Sequence, residues 1–313
     1  MPAKWSPRDI PDLTGLLAIV TGANSGLGQA TALELARARA TVVIACRNTS
    51  KGERAAAAIM EEIPTADVPV AELDLADLAS VRAFAQRIAG EHDRVDLLIN
   101  NAGVMAPPRR ETKDGFESQF GTNHLGHFAL TGLLLGQLLA ASHPRVVTVS
   151  SGAHRLGKIN FDDLESERHY ERWRAYGQSK LANLMFCFEL QRRATGAGAN
   201  LKSMAAHPGY AATNLQSAGP DRFFERAFMA IGNRVIAQSA EMGALPTLYA
   251  ATYPALPGGT FVGPDGLGEQ RGHPKVVSAA SKAYDEQTQR RLWEVSEELT
   301  SVHYDFAPAA RAA

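Results

Sequence analysis

The sequence predicts an α/β domain: a doubly wound parallel sheet of about seven strands with helices on both faces. Three observations carry that expectation. Short Val/Ile/Leu-rich runs alternate six times with longer stretches of helical periodicity. The short runs are apolar at successive positions, as strands are when helices cover both faces of a parallel sheet. No Pro/Gly-rich linker splits the chain before Pro208. One domain over 1–313 is therefore expected, closed by right-handed crossovers.

The segment 1–13, MPAKWSPRDIPDL, reads as an arm lying on the domain. LLAIVTG is the first strand, LGQATALELARARA the first helix and TVVIACR the second strand. KGERAAAAIMEEI is a helix of strong formers that stops before Pro64, since the residue preceding a proline leaves the helical region. VPVAELDL is a strand, LASVRAFAQRIAGEH an amphipathic helix, and VDLLINNAG an apolar strand with a polar end. A long helix through Leu139 comes next, then strand RVVTVSS. Helix YGQSKLANLMFCFELQRRA leads to strand LKSMAAHPG. GGTFVGPDG reads as the last strand and its turn, and SKAYDEQTQRRLWEVSEELT as a C-terminal helix.

Bulk properties exclude several classes. The net charge of −1 argues against attraction to nucleic acid or anionic lipid. Cys46 and Cys187 sit in apolar runs with no disulfide or metal-ligand spacing, so two buried thiols in a reducing, cytoplasmic setting are expected. The N-terminus shows no apolar secretory core. The longest apolar stretch, FALTGLLLGQLLA (128–140), falls short of the roughly 20 residues a membrane span needs and fits a buried helix.

TGANSGLGQA opens the case for chemistry. Gly22, Gly26 and Gly28 sit where the first strand turns into the first helix. Glycine there lets backbone approach a pyrophosphate, and the helix N-terminus supplies N–H groups. The trio alone also fits a plain tight turn. The end of the second strand selects the cofactor. An acid there would meet a ribose 2′-hydroxyl, whereas Arg suits a 2′-phosphate. The chain has Arg47 and no acid, which points to NADP over NAD; a solvated surface arginine is the other reading. Asp74 could accept from an adenine amino group or cap the next helix, a job that Asp77 suits better. NNAG (100–103) places small residues at the carboxyl edge of the fourth strand, where Gly103 permits close approach to a ribose.

TGANSGLG, NNAG, VSSGAH, YGQSK and HPG, in that order, resemble the short-chain dehydrogenase/reductase family. ACRN, SSGAHRLGKINFDDL and YGQSKLANLMF are most similar to its retinol-dehydrogenase-like branch, over about residues 14–215. The resemblance implies a single NAD(P)-binding Rossmann domain and a catalytic tetrad of Asn123, Ser151, Tyr176 and Lys180. Ser150 is the lesser candidate for the serine. It implies cofactor contacts from Gly22, Ser25, Gly26, Gly28, Arg47, Asp74, Leu75, Asn101, Ala102, Gly103, Tyr176, Lys180, Pro208, Gly209 and Thr213, with no metal. The chain departs from many family members in the insert 152–175 between serine and tyrosine, which the retinol-dehydrogenase-like branch shares. Family members often form dimers or tetramers, so a homodimer or homotetramer is open.

The implied reaction interconverts an alcohol and a ketone or aldehyde. Hydride transfer is the cofactor's chemistry, and Tyr176 handles the proton. A free phenol titrates near 10, and a Lys180 ammonium beside it would lower that value. Ser151 would bind the substrate oxygen, and Asn123 a water linking Lys180 to solvent. A metal pair at His124 and His127 or a hydrolase using His154 is disfavoured, because no H-E-x-x-H occurs and GQSKL lacks the last glycine of a nucleophile elbow. The rival class is a non-catalytic NADP(H)-sensing protein on the same fold. The region 214–245 holds Phe, Met and Ile where a substrate lid belongs, which suits a lipophilic substrate and also ordinary packing.

Overall fold

A computed structural model describes residues 4–210 and 239–306. Among these described residues, eight strands form one sheet: β1 (Leu17–Thr21), β2 (Thr41–Cys46), β3 (Val70–Glu72), β4 (Leu97–Asn100), β5 (Arg145–Val149), β6 (Lys202–Ala206), β7 (Phe261–Pro264) and β8 (Pro274–Val276). Their spatial order is β3-β2-β1-β4-β5-β6-β7-β8. Strands β1 to β7 pair in parallel, and β8 joins β7 antiparallel. This is the expected sheet with one strand added. PKV is too short to stand out in the sequence, and Pro274 heads it at the sheet edge, where no ladder N–H is needed.

The helices are α1 (Gly26–Arg37), α2 (Thr49–Glu62), α3 (Leu78–Glu91), α4 (Ser118–Phe120), α5 (Gly126–Leu133), α6 (Leu135–Ala140), α7 (Arg172–Gly196), α8 (Ala240–Thr252) and α9 (Glu286–Thr300). Alternation along β1 feeds two cores. Ala18 and Val20 pack with Leu35 of α1, Ile59 of α2 and Leu248 of α8. Leu17 and Ile19 pack with Phe84 of α3, Phe128 of α5, Leu190 of α7 and Trp293 of α9. Each fully buried Val, Leu, Ile or Phe among these contributes about 1.5–3 kcal/mol. Cys46 and Cys187 are free, buried thiols. The N-terminal arm lies on the domain, with Trp5 edge-on to Tyr249 at 5.3 Å and its carbonyl bound by His273 Nδ1. None of the described helices is long and apolar enough to cross a membrane.

Two elements differ from expectation. The single helix through Leu139 is interrupted. A π-helical turn, Gly121–Leu125, follows α4, closed by the Gly126 N–H on the Gly121 carbonyl, and the backbone breaks again at Leu134. The extra residue of a π turn lets Asn123 reach the Val104 backbone while Gly126 stays seated against Leu75. The second concerns the lid region. Its last residues, from Ser239, begin α8, a helix packed in the core beside α1 with Ala244 and Leu248 buried. Pro246 inside α8 masks the helical pattern, although Ser239 caps it by accepting from Met242 N–H. Residues 214–238 of the lid region lie outside the described residues.

Strand β1 lies between β2 and β4. The chain winds outward through β2 and β3, then returns to the other side of β1. The carboxyl ends of β1 and β4 therefore flank a crevice, where open α/β sheets bind ligands. The seat of α5 beside that crevice is tight: a Cβ on Gly126 would sit 2.4 Å from the Leu75 carbonyl oxygen. Gly126→Ala is expected to destabilise the fold by about 1–3 kcal/mol, as forced overpacking does. A urea titration would read this as a lower midpoint at unchanged slope.

Candidate active site

Thr21, the last residue of β1, organises the crevice floor. Its hydroxyl oxygen accepts the N–H groups of Asn101 and Ala102, each at 2.9 Å. It also lies 2.9 Å from His127 Nε2. His127 Nδ1 is 3.0 Å from the Asn123 carbonyl. A carbonyl only accepts, so Nδ1 carries the proton. Burial, aided by the Lys180 charge, pushes His127 down to about 4, so the ring is neutral. Nε2 is then an acceptor, and the Thr21 hydroxyl donates to it. One chain of hydrogen bonds runs from the β4 exit through β1 to Asn123.

The glycine turn is bare backbone. A Cβ on Gly22 (φ +67°) would sit 3.0 Å from Ala102 Cα. On Gly28 it would meet the Gly22 carbonyl oxygen at 2.5 Å and Asn101 Nδ2 at 2.6 Å. Asn101 donates that amide to the Thr21 carbonyl at 2.7 Å, bracing the turn from below. Gly26 also has positive φ, and Ser25, the residue before α1, makes no side-chain cap bond. The N–H groups at the start of α1 are thus left for an anion, the arrangement that receives a pyrophosphate. On these grounds the turn fits a nicotinamide dinucleotide.

Helix α7 brings up the chemistry. Glu171 caps it by accepting from Trp173 and Arg174 N–H. Tyr176 and Lys180 lie one turn apart, with Lys180 Nζ 5.7 Å from the Tyr176 ring centroid. Lys180 donates to the Val149 carbonyl at 3.1 Å. The Ser151 hydroxyl, just past β5, accepts the Ala153 N–H at 3.2 Å and lies close enough to Tyr176 to favour its phenolate. Ser150 instead donates to the Lys180 carbonyl at 2.7 Å, so the geometry brings Ser151, not Ser150, to the phenol. Asn123 is wholly engaged: Oδ1 accepts from Val104 N–H, and Nδ2 donates to the Val104 carbonyl and Ser179 Oγ. Gly103 closes the group, since a Cβ there would lie 3.0 Å from Asn123 Oδ1 and 3.5 Å from Lys180 Nζ.

Burial penalises both charged forms here. It pushes the Tyr176 phenol up to about 12, against a smaller lowering by Ser151. It holds the Lys180 ammonium down at about 8. The lowered phenol expected from the sequence is therefore not a property of the protein chain alone.

The remaining expected contacts line the same sheet edge. Arg47 directly follows β2, is exposed, and makes no ion pair with another described residue. Asp74 accepts from Ala76 N–H at 3.0 Å in a local turn, while Asp77 caps α3. Leu75 is buried, its carbonyl against Gly126. Pro208 and Gly209 follow β6, the Gly209 N–H donating to His207 Nδ1 at 3.2 Å. Thr213 lies outside the described residues. Sequence reasoning missed Thr21 and His127; a histidine four residues after Asn123 on a helix was the available signal.

The model of the family described as short chain dehydrogenase matches residues 16–222. The chain is 41% identical to retinol dehydrogenase 14 of Mus musculus over 92% of its length and 86% of that protein. It is 42% identical to retinol dehydrogenase 13 of Homo sapiens over 96% and 88%. Among solved structures, an uncharacterized protein from Mycobacterium paratuberculosis is 47% identical with a TM-score of 0.81, covering 97% of this chain and all of that one. A short chain dehydrogenase from Escherichia coli CFT073 complexed with NADPH is 26% identical with a TM-score of 0.59, covering 77% of this chain and 92% of that one. The chain belongs to the short chain dehydrogenase family. It is an oxidoreductase acting on a CH–OH group.

The folded Lys180 titrates near 8 and an unfolded lysine near 10.4. Between those values the unfolded chain binds more protons, so this group makes stability rise with pH through that window. Below it, the buried ammonium costs on the order of 3 kcal/mol. Lys180→Met removes the charge, and Asn183 Nδ2 still serves the Val149 carbonyl. The variant is expected to melt at higher temperature than wild type at pH 7, by about 2–6 °C. Calorimetry at pH 7 and pH 9.5 would check that the difference narrows at the higher pH.

Proposed function

We propose that the protein is an NADP(H)-dependent oxidoreductase that interconverts a lipophilic alcohol and its ketone or aldehyde, with Tyr176 as proton donor and acceptor. The observation that carries this reading is the meeting of Tyr176, Ser151, Lys180 and Asn123 beside the glycine turn. The exposed guanidinium of Arg47 at the exit of β2 favours NADP, because a 2′-phosphate accepts bidentate hydrogen bonds from arginine. A relative complexed with NADPH is consistent with it. The large apolar side chains Leu156 (72% exposed) and Trp173 (39% exposed) follow Ser151 and precede Tyr176. They suit an apolar substrate, and retinol is the compound named in the relatives.

When bound, the cofactor supplies or accepts the hydride. The protein manages position and proton. Ser151 and the Tyr176 hydroxyl together address the substrate oxygen. In reduction the phenol, held protonated by burial, gives its proton to the oxygen that becomes the alcohol. The Lys180 ammonium then stabilises the phenolate left behind, through a site where charge interactions are little screened. Its own fixed place comes from the Val149 carbonyl. In oxidation the same proton returns to Tyr176. Asn123, engaged by Val104 and Ser179, holds the π turn and α7 together.

Fluorescence titration with NADPH and NADH side by side tests the cofactor. Arg47→Asp is expected to weaken NADPH about 100-fold, roughly 3 kcal/mol of charge-assisted bonding, and to leave NADH within about threefold. Equal loss of both would refute the NADP assignment. Tyr176→Phe is expected to bind NADPH normally and to lower kcat for retinal and alkanal reduction by at least about 1000-fold, some 4 kcal/mol. Retained turnover would remove the proton role. NADPH binding by wild type without turnover of any carbonyl or alcohol would favour a sensor.

A further inference from the structure

His154 plays no part in the reaction described above, yet it is fully buried three residues from Ser151. Its Nδ1 lies 2.7 Å from the Ser151 carbonyl. Its Nε2 accepts the Ala280 N–H at 3.1 Å. The first bond requires a proton on Nδ1 and the second requires none on Nε2. The two contacts therefore demand one neutral tautomer. The ring stands edge-on to Phe261 at 5.6 Å, which leaves it little freedom to turn.

The turn that His154 belongs to is strapped at three points. Arg155 donates to the Ser278 carbonyl and Lys282 to the Arg155 carbonyl, with the Ala280 bond between them. On the other side the turn meets α7 backbone to backbone. A Cβ on Gly157 would sit 2.1 Å from the Gly177 carbonyl oxygen, and one on Gly177 would sit 3.0 Å from the Ala153 carbonyl. Gly177 directly follows Tyr176. The position of Ser151 relative to the phenol thus depends on a turn held between α7 and residues 278–282.

We propose that His154 is a positioning residue: its Nδ1–H holds the Ser151 carbonyl so that the Ser151 hydroxyl meets the substrate oxygen and Tyr176. This rests on the oxidoreductase reading above. The charged and titratable groups around the imidazole are Arg155 on its own turn, Lys282 on the Ser281–Tyr284 turn, Glu269 on the turn after β7, and His207 across Phe261. Burial is the largest influence and lowers the imidazole's affinity for a proton.

Two measurements test the proposal. Asn reproduces a donor at the Nδ1 position, whereas Gln reproduces an acceptor at the Nε2 position and lacks the Nδ1–H. His154→Asn is expected to keep kcat within about threefold of wild type. His154→Gln is expected to lower kcat 10- to 100-fold at unchanged NADPH affinity. Equal kcat in the two variants, or retained kcat in His154→Gln, would overturn the proposal. The second measurement needs no turnover: nitrogen-15 NMR of the histidine-labelled wild-type chain, with His154 assigned through its own backbone. The expected result is a neutral ring protonated at Nδ1 from pH 8 to pH 6. An Nε2–H tautomer, or a ring charged at pH 6.5, would overturn it. Wild type that turns over nothing would end the oxidoreductase reading, and the NMR result would then decide the His154 contact by itself.

Discussion

Three side-chain hydrogen bonds tie the carboxyl end of β5 to one turn of α7. Lys180 and Asn183 both donate to the Val149 carbonyl, and Ser150 donates to the Lys180 carbonyl. All four residues are buried. A buried ammonium with one protein acceptor is destabilising by itself, so its place must be enforced by the packing around it. That packing is the seam of α7 against the sheet, with Phe186 and Leu190 in one core and Leu181 and Leu184 in another. Loosen the seam and the ammonium would move toward water, taking with it the spacing to Tyr176.

The rest of the site hangs from that seam. Asn123 bonds Ser179 of α7 on one side and Val104 on the other. Through His127 its carbonyl connects to Thr21, whose hydroxyl takes the N–H groups at the β4 exit. The glycine turn is braced on the same strand end by Asn101. Cofactor cradle and proton donor are therefore parts of one buried polar network, whose hydrogen bonds make the burial tolerable.

Much of this was legible in the sequence because it rests on local pattern. The Val/Ile/Leu runs read as strands, and seven of the eight were found where expected. The glycines of the turn, the Tyr–Lys spacing and the cap at Asp77 are signals within a few residues of each other. The parts that stayed hidden depend on partners distant along the chain. The π turn exists because Gly126 meets Leu75 and Asn123 meets Val104, and no helical periodicity reports either contact. Helix α8 carries an internal Pro246 that argues against a helix until its burial beside α1 is known. The Tyr176 phenol was expected to be lowered by Lys180, but burial, which a sequence does not display, raises it, opposed only by a smaller lowering from Ser151. The choice between Ser150 and Ser151 was also made by a distant carbonyl, that of Lys180.

The contact between Gly157 and Gly177 separates two quantities that are usually coupled in a chain, loop length and catalytic spacing. Between Ser151 and Tyr176 the protein carries an insert, yet the hydroxyl of one still lies beside the phenol of the other. The insert does not set that distance; the backbone contact at its beginning does. Residues from 158 to the cap at Glu171 form an excursion whose ends are both anchored independently. Lengthening such an excursion adds only a slowly growing closure entropy. The fold can thus vary the shape of its pocket wall over this stretch while the reacting groups keep their places.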